Sequence, residues 1–177
     1  MIKDAIVSDA KQLAKIKVDT WKTTYKGIIP DKFLNELSYE KEEERFKKFL
    51  KNPGSNKFII VYENEKTSEI ISYMWFGVPK EDEDNNYDQE IYALYVLKDY
   101  QKGGIGREMI NFAIERLKKT GNTSLILWTL KKNLNARSFY QKIGFRLTKE
   151  KIKNIGGRDI DECGYELNPK QIERKIC

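Results

Sequence analysis

The chain contains no histidine. That absence removes the commonest general base and the commonest zinc ligand. Acid–base chemistry must then rest on carboxylates, tyrosines, lysines or water, and no metal is implied. There are only two cysteines, Cys163 and the terminal Cys177, too few for a disulfide framework. Reduced cysteines are the rule inside cells, so the expected location is cytoplasmic. No apolar run approaches the length of a membrane span, and Met1–Ala5 opens no apolar stretch like that of a signal peptide. Two nucleotide fingerprints are also missing. There is no Gly-x-x-x-x-Gly-Lys-Ser/Thr, which excludes a Walker loop. There is no Gly-x-Gly-x-x-Gly at the start of a Rossmann unit.

What is present describes a folded chain. Its 177 residues are 40% hydrophobic and 12% aromatic, enough for a sizeable core. No repeat, low-complexity linker or composition shift divides it, so one domain over residues 1–177 is expected. The net charge is +6, carried by lysines spread along the chain. Most of these read as solvated surface. A basic balance also suits a polyanionic ligand, whereas nucleic-acid binding lacks any recognisable reader helix or aromatic strand motif.

The hydrophobic pattern orders the elements. Residues 2–6 read as a strand, and Ser8 is a candidate cap for a helix carrying Ala10, Leu13, Ala14, Val18 and Trp21 on one face. Gly27–Pro30 breaks that pattern, a second helix opens at Pro30 or Asp31, and Ser38 caps a third that runs to about Leu50. Lys57–Tyr62 and Glu69–Phe76 read as paired strands, and Glu81–Asn86 as an acidic loop. Glu90–Leu97 is a strand, Gly104–Thr120 a helix, Leu125–Leu130 a strand, and Asn133 caps a further helix. Phe145–Lys149 and Arg158–Leu167 close the chain as strands. This order predicts an α/β fold with a mixed sheet, in which strands 90–97 and 125–130 run parallel across a helical crossover.

The most informative stretch is Glu90–Gly106. A strand empties into Gln101-Lys-Gly-Gly-Ile-Gly106, and that turn opens a helix. Helix N-termini offer unpaired N–H groups and a partial positive charge, and glycines let a phosphate approach the backbone. Alone, the turn serves equally well as a pyrophosphate cradle or as plain turn chemistry.

A second motif decides between those uses. Gln101-x-x-Gly104-x-Gly106, followed by Asn133-x-x-Ala136-x-x-Phe139-Tyr140-x-x-x-Gly144-Phe145, resembles the acetyl-CoA motifs of the GCN5-related N-acetyltransferase (GNAT) superfamily. The loop reads Lys-Gly-Gly-Ile-Gly where Gly-Lys-Gly-Ile-Gly is more usual, and it retains Gly104 and Gly106. Trp21-x-x-x-Tyr25-x-Gly27-x-x-Pro30 is similar to a segment common in bacterial members.

The resemblance implies a single-domain fold with a mostly antiparallel mixed sheet, flanking helices and a splayed parallel strand pair. It implies an acyltransferase that moves acetyl from acetyl-CoA to a primary amine, by direct transfer in a ternary complex. Lys102, Gly103, Gly104, Ile105, Gly106 and Arg107 would hold the pyrophosphate through their N–H groups, with Gln101 shaping the turn. Leu94, Tyr95 and Val96 would present backbone groups to the pantetheine arm, Val96 N–H serving as oxyanion donor. Asn133 would cap its helix and reach the cofactor. Tyr140 would stand beside the thioester sulfur, although its apolar helix face also suits a core aromatic. Glu90 has two readings, a general base acting directly or through water, and a solvated strand-end carboxylate. Trp21, Tyr25 and Tyr92 would line the acceptor pocket, with Trp21 also readable as core. The expected partner is a small-molecule amine such as a polyamine or amino sugar, with a protein N-terminus or lysine, and a non-catalytic acyl-CoA sensor, as alternatives. Neither nucleic acid nor membrane is expected, and a homodimer is left open.

Overall fold

The computed structural model describes residues 1–54, 56–80, 86–121 and 124–168. The acidic run Glu81–Asp84 and Cys177 lie outside the described residues. Among the described residues, seven strands form one sheet in the order β1-β2-β3-β4-β5-β7-β6. They are β1 (Ile2–Asp4), β2 (Lys57–Glu63), β3 (Ile70–Gly77), β4 (Gln89–Val96), β5 (Leu125–Leu130), β6 (Arg146–Ile155) and β7 (Arg158–Leu167). The helices are α1 (Ala10–Thr24), α2 (Asp31–Asn35), α3 (Tyr39–Lys51), α4 (Ile105–Lys118) and α5 (Leu134–Lys142). Neighbouring strands are antiparallel except β4 and β5, which run parallel as the α4 crossover requires.

Both faces of the sheet are covered. Ile60, Met74, Phe76, Ile91, Leu125 and Leu127 face α4 through Met109, Ile110, Ala113 and Leu117. Ile59, Val61, Ile70 and Tyr73 point the other way, against Leu13, Ala14 and Ile16 of α1 and Phe46 of α3. Coverage on both faces explains why β2 and β3 read as nearly continuous apolar runs. Phe46 is 1% exposed and lies edge-on to Tyr73 at 5.5 Å. Phe46→Ala is expected to cost about 3–5 kcal/mol of stability, measured by urea unfolding, because the lost ring leaves a cavity under the sheet.

Two local expectations change. Ser8 is not the α1 cap. A 3-10 turn, Val7–Asp9, precedes the helix, and Asp9 accepts a hydrogen bond from the Ile6 N–H at 2.9 Å. The strand expected over Phe145–Lys149 instead runs to Ile155 and forms a long hairpin with β7. It is an edge strand rich in lysine and largely exposed, so it lacks the apolar alternation that marks half-buried strands. Ser38 does cap α3, its hydroxyl accepting from the Lys41 N–H at 3.2 Å.

Candidate active site

The site begins with an irregularity in β4. Trp75 pairs with Ala93, but the next residue of β3, Phe76, pairs with Ile91. Tyr92 is therefore an extra residue, a bulge that bends the strand. On its other side β4 pairs with β5 only through Gln89, Glu90 and Ile91. Beyond the bulge the two parallel strands part and leave a gap. Leu97 donates its N–H to Ile71 on β3 at 2.9 Å. Strand alternation then turns the backbone groups of Val96 and Leu94 toward the gap.

The glycine turn stands at the end of this edge. Gln101 Nε2 donates to the Val96 carbonyl at 2.9 Å, which ties the turn to the strand. Lys102 and Gly104 have positive φ, 65° and 91°, and Gly104 is the N-cap of α4. Gly103 and Gly104 are exposed, while Ile105 and Gly106 begin the helix with their N–H groups in its first turn. Arg107 already donates its backbone N–H to the Gly104 carbonyl at 2.9 Å, leaving its guanidinium as the group to reach an anion. A Cβ on Gly106 would stand 3.0 Å from the Phe139 ring. The two motifs separated by β5 in sequence thus meet in space.

Helix α5 supplies the next group. Asn133 caps it, with Oδ1 accepting from the Ala136 N–H at 3.2 Å. Tyr140 is 8% exposed and held by ring contacts to Phe139, Phe145 and Tyr165. Burial raises its pKa, so the hydroxyl stays protonated across physiological pH. Across the gap, Trp21 Nε1 donates to the Tyr95 hydroxyl at 2.8 Å, and Tyr25 stacks edge-on to Trp21 at 5.1 Å. Tyr25 and Tyr95 share a hydrogen bond, Tyr140 acts electrostatically on Tyr25, and Tyr95 acts on Tyr140. Burial pushes Tyr95 up to about 12 and Tyr25 well above its ordinary value. Trp21 also packs with Ile29, Leu34 and Leu130, so it serves the core and the site wall together.

The sequence model of the Acetyltransferase (GNAT) family matches residues 20–145, which include the bulged strand, the glycine turn and α5. The chain belongs to the GNAT acetyltransferase family. It is 34% identical over 163 residues to the uncharacterized N-acetyltransferase YuaI of Bacillus subtilis (strain 168), covering 92% of this chain and 90% of that one. It is 25% identical over 167 residues to the spermidine N(1)-acetyltransferase of Thermoplasma acidophilum, covering 93% and 97%. Among solved structures, the PaiA N-acetyltransferase of Thermoplasma acidophilum in complex with coenzyme A superposes with a TM-score of 0.68 at 22% identity, covering 92% and 96%. The protein is an acyltransferase by family, and its fold is the GNAT fold.

The remaining residues expected at the site lie at the start of β4. Glu90 is 8% exposed and accepts the Lys80 backbone N–H at 2.8 Å. It is buried, not the solvated strand end that its acidic surroundings suggest. Tyr92 donates its hydroxyl to the Val78 carbonyl, and burial together with Glu90 raises its pKa. Three residues here are absent from the sequence expectations. Trp75 stands edge-on to Tyr92 at 6.0 Å, and the Lys80 ammonium lies 4.0 Å from the Tyr92 ring. Glu162 on β7 is 7% exposed and acts on Tyr25. Trp75 is hidden in a largely apolar strand, and Lys80 adjoins an acidic run. The register that creates the bulge sets Tyr92 beside Trp75, with Lys80 over both rings.

Proposed function

We propose that the protein transfers an acetyl group from acetyl-CoA to the primary amine of a small cytoplasmic molecule, such as a polyamine or an amino sugar, through one N-acetyltransferase domain spanning 1–177. The observation that carries this reading is the gap beside the Tyr92 bulge. Its edge presents the Leu94 and Val96 amides, Glu90 lies in the short β4–β5 pairing that precedes it, and Tyr140 interacts electrostatically with Tyr25 and with Tyr95 of β4. The glycine turn fits the pyrophosphate of such a donor, because its backbone needs the positive φ of Gly104 and leaves first-turn N–H groups exposed to an anion. The relative described as a spermidine acetyltransferase favours a small polyamine over a protein acceptor.

In this reading Glu90 takes the proton from the acceptor ammonium, directly or through a water. Val96 N–H, with Leu94 N–H one step nearer the bulge, stabilises the oxyanion formed when the amine attacks the acetyl carbonyl. Tyr140 donates a hydrogen bond to the departing sulfur, which leaves as the thiolate and takes up the proton that the nitrogen sheds as it becomes the amide. Attack is direct. Cys163 is buried in the core on the α4 side of the sheet and plays no part as a nucleophile.

The test is a thiol-release screen of acetyl-CoA against pools of polyamines, amino sugars, amino acids and peptides. Release with a small amine supports the reading, and release with peptides alone overturns its acceptor class. Once an acceptor is found, Glu90→Gln is expected to lower kcat/KM by about 10²-fold at neutral pH. The deficit should shrink as pH rises, because the amine then arrives already deprotonated. A pH-independent ratio of the two enzymes would remove Glu90 as base.

A further inference from the structure

Trp75 and Tyr92 are neighbours across β3 and β4, their rings 6.0 Å apart and 85° to each other. They form two walls at a right angle, with Phe49 backing Trp75 at 4.6 Å. The ammonium of Lys80 sits in this corner, 4.0 Å from the Tyr92 ring and 5.2 Å from the Trp75 ring. Glu90, which takes the Lys80 backbone N–H, also attracts that ammonium. Two ring faces and a carboxylate are a recognition set for an alkylammonium ion. Lys80 follows β3 and belongs to no helix or strand. Lys80 as a residue remains exposed to solvent. Desolvation of the ammonium end lowers its pKa to about 8, so the charge is held at a cost. The corner adjoins the gap, because Tyr92 is itself the bulge residue.

We propose that the corner formed by Trp75, Tyr92 and Glu90 is the subsite for the acceptor's primary ammonium, and that Lys80 fills it as a tethered stand-in until the acceptor displaces it. This rests on the acetyltransferase reading of the adjoining gap. It narrows the acceptor to a primary amine on an unbranched alkyl chain, the chemistry that Lys80 itself presents. A tethered occupant reduces apparent affinity by the fraction of time the subsite is vacant.

The test needs neither acetyl-CoA nor the true acceptor. Wild type, Lys80→Ala and Lys80→Arg are titrated with n-butylammonium, and with 1-butanol as its neutral counterpart, by ligand-observed NMR. Lys80→Ala is expected to bind butylammonium about threefold to thirtyfold more tightly than wild type, the range set by removing one cation–π occupant. Lys80→Arg keeps a cation in the corner and should stay near wild type. Adding Tyr92→Leu to Lys80→Ala should abolish the gain. Equal affinity for butylammonium in wild type and Lys80→Ala overturns the proposal, as does an equal gain for 1-butanol, which would mean only that space had opened. Thiol release is measured separately. Release without the charge-specific gain defeats the subsite and leaves acetyl transfer standing. The gain without release from any amine defeats acetyl transfer, and with it the acceptor role of the corner.

Discussion

Tyr140→Phe is expected to lower kcat about a hundredfold while leaving the acetyl-CoA KM within about threefold, the signature of losing a group that acts on the leaving atom. The substitution removes only the hydroxyl. The ring contacts to Phe139, Phe145 and Tyr165 persist, so the melting temperature should move little. Burial raises the Tyr140 pKa, and a neutral phenol is the form that can donate to a developing thiolate. The alkaline limb of the wild-type rate profile therefore cannot come from Tyr140 below pH 10. Steady-state kinetics of both proteins across pH, with the acceptor saturating, check this. Unchanged kcat would assign Tyr140 to the core alone.

Gly104→Val should reduce acetyl-CoA affinity by on the order of a hundredfold with the fold retained, because the turn loses the backbone shape on which a helix-terminal anion site depends. The reason is conformational and not steric. At φ 91° the nearest atom to a Cβ on Gly104 is Glu108 Oε1 at 3.9 Å, so space is available. A β-branched residue nevertheless resists this backbone, at a cost of about 1–2 kcal/mol or more. The turn relieves the strain by moving its N–H groups away from where the pyrophosphate would lie. Calorimetric titration with acetyl-CoA measures the loss directly. Gly106→Val would act differently, by driving a methyl into Phe139 across the contact between α4 and α5.

These two residues show which parts of the site could be read from sequence. The glycine turn and the Asn133 cap are local chemistry. Positive φ selects glycine at 104, and a short polar side chain is favoured where a helix starts at 133. Each leaves a mark within a few residues of itself. The parallel pairing of β4 and β5 was legible for a similar reason, since a strand, a helix and another strand admit essentially one handed connection. The corner around Lys80 leaves no such mark. Trp75 lies in an apolar run that any doubly covered strand would show, and nothing near Tyr92 in sequence announces an extra residue. The bulge exists only in the register between two strands, and a shift of one residue decides which side chains face Glu90. Strand β6 escaped for the opposite reason. Its exposed, lysine-rich edge lacks the hydrophobic alternation by which strands are recognised.

Glu90 illustrates how burial removes one of two readings that composition left even. The acidic residues preceding it in sequence suggest a solvated carboxylate. Its place on the inner edge of β4, opposite Ile126 and beneath Lys80, leaves it 8% exposed. Whether that carboxylate exchanges a proton with the incoming amine, as the proposed mechanism has it, is what the pH dependence of Glu90→Gln measures.

The most direct test of the account follows free thiol when the protein is mixed with a stoichiometric amount of acetyl-CoA, first without amine and then with an acceptor from the screen. Direct transfer predicts no thiol before the amine is added, then release matched one for one by N-acetylated product. A stoichiometric burst of thiol in the absence of amine would reveal an acetyl-enzyme and contradict the account.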